Sequence, residues 1–210
     1  GIRQLVPGRE SEEMTGKKAA GKEVARLPRR SFALRSSGRG KKAAGRAVAF
    51  LGPRGTFSEE AALRYFGRAD RPVATIGKVF EEVGGGGAEF GIVPVENSAE
   101  GSVTITNDLL VSFGGYVQAE IVLPVHHCFV CGRKNGEISK IISHPQALSQ
   151  CRRFLSKNYP SVEVEEAAST AIAVEKAVGQ IGVAAIAGER AAGIYGARIL
   201  AKNIEDRKDN

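Results

Sequence analysis

From Ala47 onward, short apolar runs alternate with segments whose apolar residues recur at helical spacing. Val48–Leu51 reads as a strand, and Gly52-Pro53-Arg54-Gly55 as a turn. Residues 56–66 read as a helix, with Thr56 and Glu59 spaced as a capping box. Val73–Ile76 reads as a short strand before a helix from about Lys78, which the run Gly84–Gly87 ends. Phe90–Val95 is a further strand and Val103–Ser112 a further helix. The β-branched stretch Tyr116–Val130 predicts one long strand, able to cross from one lobe to another. A second set follows: strand Lys140–Ile142, helix Pro145–Asn158, strand Val162–Glu165, helix Thr170–Val178 and strand Ile181–Ala187. A helix near Glu189–Tyr195 and a strand near Arg198–Ala201 complete it.

Strands alternating with helices predict βαβ units and a largely parallel sheet. Two such sets joined by a crossing strand predict an α/β protein of two lobes with a cleft between them. The expected division is residues 47–117 as lobe 1, with 196–210 returning to it, and 118–195 as lobe 2. Residues 1–46 have a different texture, rich in Gly, Lys, Arg, Ser and Ala. So few large apolar residues predict a disordered basic leader, because little burial would offset the entropy of ordering it.

That leader changes the meaning of the net charge of +7. Residues 1–46 hold 13 Lys/Arg against 4 Asp/Glu, whereas residues 47–210 hold 17 against 19. A nucleic-acid-binding domain carries its basic residues clustered on a folded face, so no nucleic-acid partner is expected. The four acidic residues of the leader also argue against an organelle-targeting role. No run approaches the ~18 apolar residues of a membrane span, and the first residues lack a secretory apolar core. A cytoplasmic protein with no membrane partner is expected, its three cysteines (Cys128, Cys131 and Cys151) reduced.

The densest candidate chemistry lies at Gly91–Leu110. A buried strand ends in Glu96-Asn97-Ser98, and Gly101-Ser102 open a helix. In open α/β sheets, ligands bind beyond the carboxyl ends of strands, and helix N-termini attract anions. Ser143-His144-Pro145-Gln146 starts another helix, with Gln150 on the same face as Gln146. Spacing by itself favours capping by Ser143 and solvent-facing glutamines. Ser169-Thr170 open a third helix, where capping is again the simpler reading. The turn Gly52–Thr56 lacks both the GK[ST] ending of a Walker loop and the third glycine of a dinucleotide fingerprint. His126, His127, Cys128 and Cys131 suggest a metal. However, residues three apart on a strand face opposite sides, and a structural zinc needs four converging ligands. No metal site is expected.

Six segments together resemble the catalytic domain of the prephenate dehydratases: GPRGTFSEEAA from Gly52, GIVPVENSAEGSVTITNDLL from Gly91, EIVLPVHHCFV from Glu120, SHPQALSQC from Ser143, STAIA from Ser169, and AAIAGERAAGIYGARILAKNIED from Ala184. The resemblance implies two α/β lobes like those of type 2 periplasmic binding proteins, with the site between them. It implies a carbon–oxygen lyase that converts prephenate to phenylpyruvate in phenylalanine biosynthesis, without cofactor or metal, as a homodimer. By resemblance, Asn97, Ser143 and Gln150 are the catalytic candidates. Thr56, Ser98, Gly101, Ser102, His144, Gln146, Ser169 and Thr170 are the candidates for binding substrate. Beyond Asn203-Ile204-Glu205-Asp206 the family continues to Thr-Arg-Phe and then an ACT regulatory domain. The chain stops at Asn210, so impaired activity is expected. The alternatives are an arogenate dehydratase and a non-enzymatic small-anion-binding module.

Overall fold

The computed structural model describes residues 2–4, 29–36, 47–97, 101–134 and 136–207. The first lobe is built on β3 (Val48–Leu51), β4 (Arg71–Val73) and β5 (Phe90–Asn97), which run parallel. Helix α1 (Phe57–Phe66) covers one face, packing Ala61 and Ala62 against Val48, Phe50 and Ile92. Helices α2 (Ile76–Gly84) and α3 (Thr104–Ser112) cover the other, around Val79, Phe80, Leu109 and Leu110. Thr56 caps α1, and Gly67 ends it in the left-handed conformation that glycine adopts without a Cβ clash. Gly91 lets α2 approach β5 closely. A Cβ there would lie 2.7 Å from Val79 Cγ1 and 2.8 Å from Val83 Cγ2.

The largest departure from the sequence reading lies in the expected leader. Residues 29–35 form β2 (Arg29–Arg35), which is inserted antiparallel between β5 and β7 (Tyr116–Leu123) in the middle of the first sheet. Residues 2–4 form β1 (Ile2–Gln4) at the edge, paired with β7. The sheet order is β1-β7-β2-β5-β3-β4, and β6 (Gly101–Ser102) pairs with β5. Ala33 and Leu34 are fully buried, one in the cluster under α1 and the other in the cluster under α2 and α3. Composition obscured this strand. Its apolar residues are few, but each meets a neighbour that only the folded sheet supplies.

The second lobe has sheet order β10-β9-β11-β8-β12. Strands β9 (Lys140–Ser143), β10 (Glu163–Glu166) and β11 (Val183–Ala187) are parallel. β8 (Cys128–Cys131) and β12 (Arg198–Lys202) run antiparallel. α6 (Thr170–Val178) and α7 (Glu189–Tyr195) cover one face, and α4 (Pro145–Gln150) and α5 (Arg152–Asn158) the other. The expected long helix over 145–158 is thus two, broken at Cys151, whose φ of −115° leaves the helical range. The expected crossing strand is also two, β7 and β8, separated by residues 124–127. Pro124 there has no N–H to donate to a ladder.

The segment expected to return to the first lobe stays in the second. β12 pairs with β8, and Ile204 is buried beneath the same sheet. Asp206 accepts from Arg153 N at 3.0 Å at the start of α5. The central position of the first sheet is therefore filled by β2 and not by residues 196–207.

The two lobes meet where α1 begins. Glu59, 1% exposed, accepts from Gly55 N at 2.8 Å, from Arg54 Nη1 at 2.9 Å and, across the lobes, from Arg190 Nε at 2.9 Å. The expected capping box is therefore half formed. Thr56 Oγ1 accepts from Glu59 N, but the carboxylate turns to Gly55 and the arginines. Tyr195 donates to Arg54 O at 3.2 Å beside this carboxylate. Burial raises the Glu59 carboxyl, but the hydrogen bonds from Arg190, Gly55 N and Arg54 outweigh it, and the net shift is downward from the ordinary 4.5.

Gly91→Ala will cost about 1–3 kcal/mol in urea unfolding, because α2 must move off β5. A carboxylate lowered by folding stabilises fully above its unfolded value and loses that contribution as pH falls through its folded value. Stability will accordingly fall with acidification below about pH 4.5. Glu59→Gln will cost about 1–3 kcal/mol at neutral pH and flatten that acid limb in pH-dependent urea titrations.

Candidate functional site

A cleft of about 530 Å³ lies between the lobes. The first lobe lines it with the carboxyl ends of β3 and β5 and the segments that follow them, including Gly52, Thr56, Phe57, Pro94, Glu96 and Asn97. The second lobe contributes His144 and Gln146 at the start of α4, and Ala168, Ser169 and Thr170 at the start of α6. Parallel strands explain this placement. Every β3- or β5-type strand delivers its following loop to the same sheet edge, and the helix after it begins there.

Thr56 Oγ1 donates to Leu51 O at 3.0 Å, tying the turn after β3 to its strand. Ser169 accepts from Ile172 N at 3.1 Å and caps α6. His144, and not Ser143, is the N-cap of α4, with Nδ1 accepting from Gln146 N at 3.3 Å. Asn97 ends β5, 7% exposed, and its backbone pairs with Gly101. Gly101 has φ +85°, a value that glycine adopts without strain. Val103 N donates to Val95 O at 2.7 Å, and Thr106 Oγ1 to Pro94 O at 2.7 Å, so α3 is held against β5 beside the cleft.

Eight of the sequence-predicted residues therefore line one cleft: Thr56, Asn97, Gly101, Ser102, His144, Gln146, Ser169 and Thr170. Ser98 lies outside the described residues. Ser143 and Gln150 are absent from the lining. Ser143 is fully buried and donates to Ile186 O at 2.6 Å, joining β9 to β11. Gln150, the last residue of α4, is buried, with Oε1 2.7 Å from His127 Nε2. Gln146 and Gln150 share a helix face as their spacing predicts, but both are buried, Gln146 at the cleft wall and Gln150 against His127.

A polar array backs the cleft in the second lobe. The Glu205 carboxylate accepts from His127 N at 2.9 Å, and its other oxygen lies 2.9 Å from His126 Nδ1. Burial raises this carboxyl, while the His126 and His127 hydrogen bonds lower it by more, and the net direction is down. The His127 ring meets the edge of Phe57 at a centroid distance of 6.1 Å, reaching the first lobe at the cleft wall. Sequence reasoning missed Phe57 and Glu96 as lining residues, although both stand inside quoted motifs. Spacing predicts which element carries a residue but not which lobe faces it.

Among the described residues no group of three or more His, Cys, Asp or Glu side chains is arranged to hold a metal. Cys128 and Cys131 sit in clusters on opposite faces of the second sheet. Burial raises all three cysteine thiols above their ordinary value. The lining is chiefly neutral: hydroxyls, amides and the beginnings of α1, α3 and α6. Such a set binds anions through backbone N–H groups and orients them through neutral donors.

Comparison with known proteins agrees with this architecture. The family model described as prephenate dehydratase matches residues 48–210. A bifunctional chorismate mutase/prephenate dehydratase of Pseudomonas aeruginosa is 44% identical over 167 residues, covering 78% of this chain and 46% of that protein. A prephenate dehydratase of Methanocaldococcus jannaschii is 37% identical over 170 residues, covering 78% of this chain and 61% of that protein. The chain thus spans about half the length of the curated relatives it matches. The crystal structure of a prephenate dehydratase from Arthrobacter aurescens in complex with L-Phe superposes with a TM-score of 0.67 at 27% identity, covering 78% of this chain and 57% of that one. The expected two-lobed α/β fold is the fold of these proteins, and this chain belongs to the prephenate dehydratase family.

Proposed function

We propose that this chain is a carbon–oxygen lyase acting on prephenate in phenylalanine biosynthesis, in the cytoplasm and as a homodimer. The reaction releases carbon dioxide and water and leaves phenylpyruvate. The observation that carries the reading is the cleft, where α1, α3 and α6 begin among Thr56, Asn97, Ser102, Ser169 and Thr170.

Prephenate has two carboxylates and a ring hydroxyl. The C–C bond to the ring carboxylate breaks, its electron pair enters the ring, and the C–O bond to the hydroxyl breaks as that oxygen takes a proton. The ring becomes aromatic, so the substrate supplies the driving force. The protein has to hold a dianion, align the two leaving groups and direct a proton to the departing oxygen. Backbone N–H groups at the helix starts serve the carboxylates. Asn97, buried at the end of β5, is the residue we assign to orienting the reacting ring. Thr170, lining the cleft from the second lobe, supplies a hydroxyl donor to the substrate, while Thr56, whose hydroxyl proton goes to Leu51 O, shapes the first-lobe wall. Ser143 and Gln150 act as positioning residues: one anchors the strand that precedes His144, the other holds His127 beneath Phe57. The arogenate reading differs only in an amino group on the side chain, so both substrates belong in the same assay.

The test is conversion of prephenate to phenylpyruvate followed by absorbance, corrected for spontaneous acid breakdown. Turnover above that background supports the assignment. A folded protein that binds prephenate without converting it would leave the anion-binding alternative. Asn97→Ala will lower kcat by roughly 100-fold or more with little change in the urea midpoint. Ser143→Ala will instead cost about 1–2 kcal/mol of stability, because the buried hydrogen bond from Ser143 to Ile186 O is lost, while KM stays near that of the parent chain.

A further inference from the structure

β2 lies outside the residues that the family model matches, and it carries a guanidinium to Glu96, which lines the cleft. Arg30 stands opposite Glu96 in the β2–β5 ladder, where the register shifts between Arg30 and Ser31. Such irregularities re-aim side chains at sheet rims. Arg30 Nε lies 3.6 Å from Glu96 Oε2, and Arg30 Nη1 lies 3.3 Å from Glu120 Oε1 on β7. Of these two carboxylates only Glu96 lines the cleft. Among the described lining residues Glu96 is the single carboxylate, and none is Lys or Arg. A dianion entering the cleft therefore meets one uncompensated negative charge unless Arg30 offsets it.

We infer that Arg30 sets the affinity of the cleft for a dicarboxylate: it offsets the charge of Glu96 at a cleft with no lysine or arginine in its described lining. Arg30 acts through Glu96 and touches no reacting atom, so it is a positioning residue. Its influence falls on substrate affinity and not on the chemical step. The pair is half exposed, with side-chain accessibilities of 43% and 39%, so its effect is modest and screened by salt. This inference rests on the cleft's being the prephenate site.

The experiment uses the full chain with prephenate and steady-state kinetics at low and high ionic strength. Arg30→Ala will raise KM about three- to fivefold at low salt with kcat within about twofold, and the difference will shrink at high salt. Arg30→Lys will recover most of the affinity. Arg30→Ala combined with Glu96→Gln will return KM to that of the parent chain. Glu120→Gln, which leaves the same arginine to Glu96 alone, will not raise KM. Glu96→Gln alone leaves β2 untouched and will lower KM, which keeps the test decisive if Arg30→Ala does not fold. An unchanged KM in Arg30→Ala, a loss confined to kcat, no rescue by the double variant, or a raised KM in Glu96→Gln would overturn the inference while leaving the dehydratase reading intact. A parent chain that neither turns over nor binds prephenate in calorimetry would overturn both.

Discussion

The backbone pairing of β2 with both β5 and β7 is the constraint on which the first lobe depends. β5 and β7 run in the same direction with one strand's width between them. Their inward-facing N–H and C=O groups are shielded from water by α1 on one side and by α2 and α3 on the other. Buried backbone groups must be paired, and β2 pairs them. The consequences reach the cleft, because the carboxyl end of β5 carries Glu96 and Asn97 and β2 braces that end through Arg30. A segment of unpromising composition thereby becomes part of the scaffold of the site.

The second lobe reaches the cleft differently. Its helices α4 and α6 start at the edge, and the polar residues behind them hold these starts in place. Ser143 joins two strands, Gln150 holds His127, and Glu205 ties His126 and His127 to the chain after β12. Neutral hydrogen-bonding groups that look equivalent in the sequence therefore divide by depth. Those at helix starts face the cleft, and those one layer below support them. Glu59 connects the two lobes, with three donors from both sides converging on one buried carboxylate. A buried carboxylate is tolerated only when its oxygens are fully served, so this cluster specifies how the beginning of α1 meets α7.

Legibility followed the range of the interactions involved. Elements whose signals are local were readable. β3 spans Val48–Leu51 and α6 spans Thr170–Val178 as their patterns predict, because strand apolarity, helical spacing and capping residues act within a few positions. The breaks at residues 124–127 and at Cys151 were not readable as such. In each case a continuous pattern spans two elements, β7 and β8 in different lobes and α4 and α5 on either side of a kink. The polar motifs were visible, but their burial was not: His144 took the cap expected of Ser143, and both glutamines are buried.

By itself, the sequence determined the α/β class, most of the helices and strands, and the motifs that end up around one cleft. These depend on side-chain periodicity and on residues at element ends, which neighbouring positions set. The tertiary structure decided which strand completes the first sheet, where residues 196–207 pack, and which polar side chains face the cleft. It also decided that Arg30, Glu96 and Glu120 meet. Those outcomes depend on pairings between residues dozens of positions apart, and a strand's partner is chosen by the edge that needs it as much as by its own pattern.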